Sequence, residues 1–377
     1  MSSPSMGGRS VLDRPGLDAL IEVLAGRGFR VIGPTLQDDA IMLAELRSGA
    51  DLPDGWGVDV APGSYRLRRR TDGAVFGHSC GQQSWKQFLH QPRRTIWSTD
   101  GTTFARTDEN PPSYAFIGVR ACDLAAISAL TRVLARGEHE DADFARRAGG
   151  TFIVAVACTE PGPLCFCASL GTGPEPGPHY DLSLTERPRT DGSQFMVTVG
   201  SDAGAAVLAE VPHREASADE TKEAHAAVAA AAGQMGRALP DTDVPDLLRR
   251  THESPVWTEI ASRCLTCGNC TMVCPTCFCT TTEDRTSLSG GQAERSQRWA
   301  SCFELDFSYV HGGSVRTSGA GRYRQWMTHK LSSWHDQFGS SGCVGCGRCI
   351  AWCPAGIDIT EEAARLAAVV TGDPDDS

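Results

Sequence analysis

The sequence predicts an α+β multidomain protein. Residues 1–215 read as an N-terminal α/β domain with a partly parallel sheet, 216–255 as a helical linker, and 256–371 as a cysteine-rich domain with a long insertion between its halves. Three observations carry this reading. Continuous apolar runs separated by helix-spaced segments fill the first half, as buried parallel strands require. An alanine-rich stretch follows. Two copies of one cysteine run then occur, separated by residues 275–342.

The elements follow in chain order. "GLDALIEVLAGRGFRVIGP" has helical apolar spacing through Leu17, Leu20, Ile21 and Leu24, and Gly26 and Gly28 precede a short strand. "SYAFIGVRACDLAAISALTRVLA" opens as an apolar strand from Ala115 to Val119, turns at Arg120 to Cys122, and enters a helix expected to be capped by Asp123. "GGTFIVAVACTEPGPLCFC" repeats the pattern, a strand from Phe152 to Ala157 delivering Cys158 into a Gly/Pro loop. Parallel pairing of the two strands would bring Cys122, Cys158, Cys165 and Cys167 out at one carboxyl edge, where open sheets place their sites. The stretch "HYDLSLTERPRTDGSQFMVTVGS" alternates around Asp191-Gly192 and reads as a hairpin. Residues 216–250 are helical, with interruptions expected near Pro240 and Pro245.

Composition narrows the function. The 377 residues are 41% hydrophobic and carry 46 acids against 35 bases, a formal charge of −11. That balance argues against general attraction to nucleic acid or anionic lipid. "MSSPSMGGRS" has no basic start followed by an apolar run, and no stretch is long enough to span a bilayer, so a cytoplasmic location is expected. Sixteen cysteines in a reducing compartment point to metal ligands rather than disulfides.

The cysteine runs are specific. "CLTCGNCTMVCP" sets Cys264, Cys267, Cys270 and Cys274 before Pro275, and "CVGCGRCIAWCP" sets Cys343, Cys346, Cys349 and Cys353 before Pro354. This is the two-cluster ferredoxin spacing, in which three cysteines of one run and the fourth of the other hold each 4Fe-4S cube. One cluster is expected on Cys264, Cys267, Cys270 and Cys353, the other on Cys343, Cys346, Cys349 and Cys274. Two-residue gaps let a tight loop wrap three thiolates around one cube, while Gly268, Gly345 and Gly347 permit close backbone approach. Zinc also takes Cys-x-x-Cys pairs, but two complete runs ending in Cys-Pro are more than it needs.

With "RWASCFELDFSYVHGGSVRTSGAGRYRQWMTHKL", "GQQSWKQFLHQP", "FIGVRACDLAAI" and "CTEPGPLCFCASLGTGP", these runs resemble the iron-sulfur beta subunit of cytoplasmic sulfhydrogenases, the NAD(P)-linked nickel-iron hydrogenases. They equally resemble the related iron-sulfur component of anaerobic sulfite reductases. The likeness spans roughly residues 60–360, and it departs at Trp299-Ala300-Ser301-Cys302, where a more acidic "WDSC" is the family's pattern. It implies an electron-transfer subunit whose neighbours are a flavin/NAD(P)H-binding subunit on one side and the small and large hydrogenase subunits on the other. The alternative it implies is service to a sirohaem sulfite reductase. A regulatory iron-sulfur protein acting on nucleic acid is disfavoured by the acidic balance.

Other features are weaker. Cys122, Cys158, Cys165 and Cys167 are either small buried residues or ligands of a third cluster. Cys277, Cys279 and Cys302 read as close-packed thiols, and Cys80 as an isolated structural residue. Arg66, Arg68, Arg69 and Arg70 read as a solvated strand face. Arg316, Arg322 and Arg324 read as surface ion pairs or a docking patch for an acidic partner. Trp299, Trp326 and Trp334 read as core or interface anchors. No catalytic triad, paired catalytic carboxylate or G-x-G-x-x-G dinucleotide site is evident, so no catalytic residue is assigned.

Overall fold

The computed structural model describes residues 5–106, 111–189 and 192–372. An eight-stranded sheet organises the first half, in the order Arg214–Glu215, Arg9–Leu12, Gln194–Val199, Leu182–Arg187, Phe152–Val156, Tyr114–Arg120, Arg30–Gln37, Ala40–Glu45. The four strands beginning at Arg30, Tyr114, Phe152 and Leu182 are mutually parallel, and the flanking strands are antiparallel. The partly parallel sheet of the sequence reading is therefore present. Its central strands are apolar on both faces because helices and loops cover both.

The Arg14–Gly26 helix is capped by Asp13, whose carboxylate accepts from Gly16 N at 2.9 Å, and it buries the expected face of Leu17, Leu20, Ile21 and Leu24. Asp123 does not cap its helix. That helix begins at Ala121, directly after the strand, with no side-chain cap, because the Asp123 carboxylate is turned to Arg348 instead. The strands around "PRTDG" pair antiparallel, Leu182 opposite Val199, while Asp191 at the expected turn lies outside the described residues. Pro245 does not interrupt a helix either. It sits in the first turn of Val244–Arg250, where its missing N–H has no partner to lose.

The two halves of the chain interlock. Strands Thr280–Thr286 and Ala293–Trp299, from the insertion between the cysteine runs, form a sheet with Arg93–Thr99 and Phe104–Arg106. A second apolar core gathers Leu164 and Phe166 with Trp257, Ile260, Trp326, Met327, Ile350 and Leu366. Trp326 and Trp334 are buried anchors, and the Trp299 indole donates to the His90 carbonyl at 3.0 Å. Among the described residues no helix is long and apolar enough to cross a membrane.

His90 gives this interlock a pH dependence. Burial, with Lys86 and Arg94 opposing Asp141 and Asp143, lowers its pKa from 6.5 to about 4. The folded protein thus keeps the ring neutral where the unfolded chain protonates it, so stability present above pH 6.5 is lost as pH falls toward 4. Wild type should lose about 2 kcal/mol between pH 6.5 and 5 from this group alone. Urea midpoints across that range should fall less steeply for His90→Gln; equal slopes would remove His90 as the cause.

Candidate functional site

The two cysteine runs fold alike. In each, a glycine in the left-handed region begins a one-turn helix: Gly268 (φ +76°) before Asn269–Met272, and Gly347 (φ +75°) before Arg348–Ala351. The third cysteine of each run, Cys270 or Cys349, lies on that turn, and the first two lie on the loop before it. Gly345 (φ +62°) has a further reason to be glycine, since a Cβ there would stand 2.5 Å from Cys167 N. The second run is pressed against the Cys165–Cys167 loop, and Phe166 N donates to Gly345 O at 2.9 Å.

The two cysteine runs meet at one pocket. Cys264, Cys267 and Cys270 of the first run and Cys349 and Cys353 of the second line it, closed by Phe303, Tyr323, Trp326 and Ile357. Cys274 and Cys343 are buried; burial raises the Cys349 thiol, and the neighbouring Cys343, Cys346 and Cys274 raise it further. Burial likewise pushes Cys343 up to about 11 and Cys346 up to about 12.

The donors suit iron-sulfur groups. Each set offers four thiols and no oxygen, the soft chemistry such clusters take. Backbone amides already point at sulfur: Thr266 N to Cys264 Sγ at 3.4 Å, Gly345 N to Cys343 Sγ at 3.4 Å, and Ile357 N to Cys353 Sγ at 3.3 Å. Such bonds favour the thiolate and tune a cluster's potential.

The sequence reading missed the buried cations beside these sulfurs. Lys330, 5% exposed, donates to Cys274 Sγ at 3.0 Å and to Thr276 Oγ1 at 3.2 Å. Burial opposes its charge, but Cys274, Cys277 and Cys343 outweigh that and raise its pKa. Lys86 donates to the Cys277 carbonyl at 2.9 Å and lies over the Trp299 ring at 3.9 Å. Neither lysine has a local sequence signal. Cys277 and Cys279 follow the first run into this basic surrounding, and Cys302 approaches Cys279, whose thiol that contact lowers to about 7.

Cys80 is not isolated. Its sulfur is 4.0 Å from Cys122 Sγ, and both lie beside Asp123. Glu186 fixes the loop leading to it by accepting from Val75 N and Phe76 N, each at 2.7 Å. Cys122 and Cys158 leave neighbouring strand ends, where Arg120 pairs with Val156, as expected. Among the arginines, Arg68 pairs with Asp59 on the solvated strand as expected, whereas Arg70 lies past the strand end with its side chain largely covered, pairing with Asp72 and Glu160 and donating to Gly77 O at 2.8 Å. Arg324 donates to the His252 carbonyl at 2.7 Å.

Fold and donors together define an iron-sulfur dicluster protein, and residues 263–357 match the family described as a 4Fe-4S dicluster domain. Over 284 residues the chain is 32% identical to sulfhydrogenase 2 subunit beta of Pyrococcus furiosus, covering 72% of this chain and 79% of that protein. The chain belongs to the sulfhydrogenase beta-subunit family. No solved structure matches it.

Proposed function

We propose that this chain is the electron-relaying subunit of a nickel-iron hydrogenase complex, standing between the hydrogenase subunits and a flavin- and NAD(P)H-binding subunit. In this reading residues 1–215 form the supporting domain, 216–255 the bridge and 256–371 the dicluster domain. One 4Fe-4S cluster is held by Cys264, Cys267, Cys270 and Cys353, and a second by Cys343, Cys346, Cys349 and Cys274. When bound, each cluster takes up and releases single electrons without making or breaking a substrate bond. The observation that carries the proposal is the pair of four-cysteine runs gathered against one apolar core, with Cys353 in the pocket of the first run.

The residues divide the work. Cys267 is exposed and Leu265 beside it is 65% exposed, so the first set sits at the surface where a partner can approach. The second set is deeper, and Lys330 places positive charge against Cys274. A fixed cation there favours the more negative state, which orders the two sites in potential. Tyr323, Trp326 and Phe303 exclude water from the inner wall of the first pocket.

The reading is tested on the purified chain with its clusters loaded. A strong reductant should bleach its visible absorbance, with neither hydrogen uptake nor NAD(P)H oxidation by the chain alone. Chains retained on affinity purification from the native host should include a flavoprotein and a nickel-iron hydrogenase. Sirohaem absorbance in that complex would replace the hydrogenase reading with a sulfite reductase one.

A further inference from the structure

We infer that the N-terminal sheet edge carries a third iron-sulfur cluster, bound by Cys122, Cys158, Cys165 and Cys167, with Cys80 as an unligated thiol packed beside it. The sulfurs come from three separate places. Cys122 lies on the first turn of the helix after one parallel strand, Cys158 follows the next strand two residues past Val156, and Cys165 and Cys167 lie farther along the same connection. Cys122 and Cys167 are 5% and 6% exposed and share one apolar cluster with Val344 and Cys346 of the second dicluster run.

The surroundings fit a thiolate-bound group. Arg120, 6% exposed, extends its guanidinium to Cys158 Sγ at 3.4 Å while its other nitrogen donates to Phe76 O at 2.9 Å. A buried cation against a sulfur offsets the negative charge that four thiolates bring together. A Cβ at Gly173 would stand 2.9 Å from Cys167 Sγ and 3.2 Å from the Cβ of Ala121, the residue before Cys122, so the loop of Cys167 meets the helix start of Cys122 closely. The loops have little room to part: Cys158 N donates to Pro174 O at 3.1 Å, and Thr172 Oγ1 to Val344 O at 2.9 Å.

Cys80, Cys122 and Asp123 by themselves are spaced for a single ion, but the Asp123 carboxylate is committed to Arg348 at 2.9 Å. A carboxylate held in a buried ion pair is a poor ligand, which leaves the wider thiol set. Ligands on different irons of a cube stand farther apart than two ligands of one ion, so Cys80 and Cys122, 4.0 Å apart, do not both bind; Cys122, fixed on the first turn of its helix, is assigned as the ligand and Cys80 as the neighbour. The site abuts the second run through Gly345, Val344 and Cys346, which would extend the relay into the N-terminal half.

The test uses the full chain, because the second run forms one wall of the site. After anaerobic reconstitution with iron and sulfide, wild type should hold about twelve irons and twelve sulfides, and Cys122→Ala with Cys158→Ala about eight. The variant should also lose one of the paramagnetic signals seen on reduction. A difference of four irons between the two proteins reads this site independently of how the dicluster sulfurs are shared. Cys80→Ala should keep about twelve irons; a fall to eight would overturn the ligand assignment. About eight irons in fully reconstituted wild type would overturn the site, and about one firmly held zinc beside eight irons would make it a structural zinc centre instead.

Discussion

Cys353→Ala is expected to empty the site built by Cys264, Cys267 and Cys270, although Cys353 belongs to the other run. Its sulfur lines the same pocket as those three and accepts Ile357 N at 3.3 Å. Removing it leaves three thiolates for a cube that takes four, so about four irons should be lost and the paramagnetic signal of one reduced cluster should vanish. The set of Cys343, Cys346, Cys349 and Cys274 keeps all its sulfurs and should stay loaded. Metal binding and loop folding are coupled, so protease sensitivity should rise around residues 264–270 and not around 343–349. Loss confined to the second set would refute the exchange of ligands.

Arg348→Ala should be the most destabilising single change outside the ligands. Arg348 and Asp123 are 3% and 4% exposed and pair at 2.9 Å, and Arg348 Nε also donates to Gly81 O at 3.0 Å and Gln83 O at 3.1 Å. One side chain thus joins the second cysteine run to the N-terminal helix and to the loop that carries Cys80. Its loss strands a buried carboxylate and two carbonyls, at a cost of about 3–5 kcal/mol. That is a large share of an ordinary domain's stability of about 5–15 kcal/mol. Urea denaturation of the loaded protein should show the fall in midpoint. Adding Asp123→Asn should recover part of it, because the uncompensated charge is then gone. Strict additivity of the two changes would mean that the pair is not coupled.

Little of this second contact is visible in the chain. Asp123 stands where a helix cap is expected, three residues after a strand, and nothing near it announces a partner in the dicluster run. The strands themselves were legible because burial on both faces writes continuous apolar runs at Tyr114–Arg120 and Phe152–Val156. Cys80 was misread for the opposite reason: its neighbour Cys122 comes from another element, and a lone cysteine carries no spacing. Lys330 and Lys86 were silent in the same way, since a buried lysine differs from a surface one only by what the fold packs around it.

The sequence by itself determined the cysteine runs, their glycine turns, the parallel strands that deliver Cys122 and Cys158, and the family resemblance. These are local features, set by a few consecutive φ/ψ choices and by ligand spacing within one loop. The tertiary structure decided that the insertion's strands pair with Arg93–Thr99, that Arg348 meets Asp123, that Lys330 meets Cys274, and that Cys80 joins the N-terminal thiols. Each is a meeting of distant segments. Which distant segments meet depends on how whole sheets and cores pack, and a buried charge or thiol is tolerated only where that packing supplies its partner.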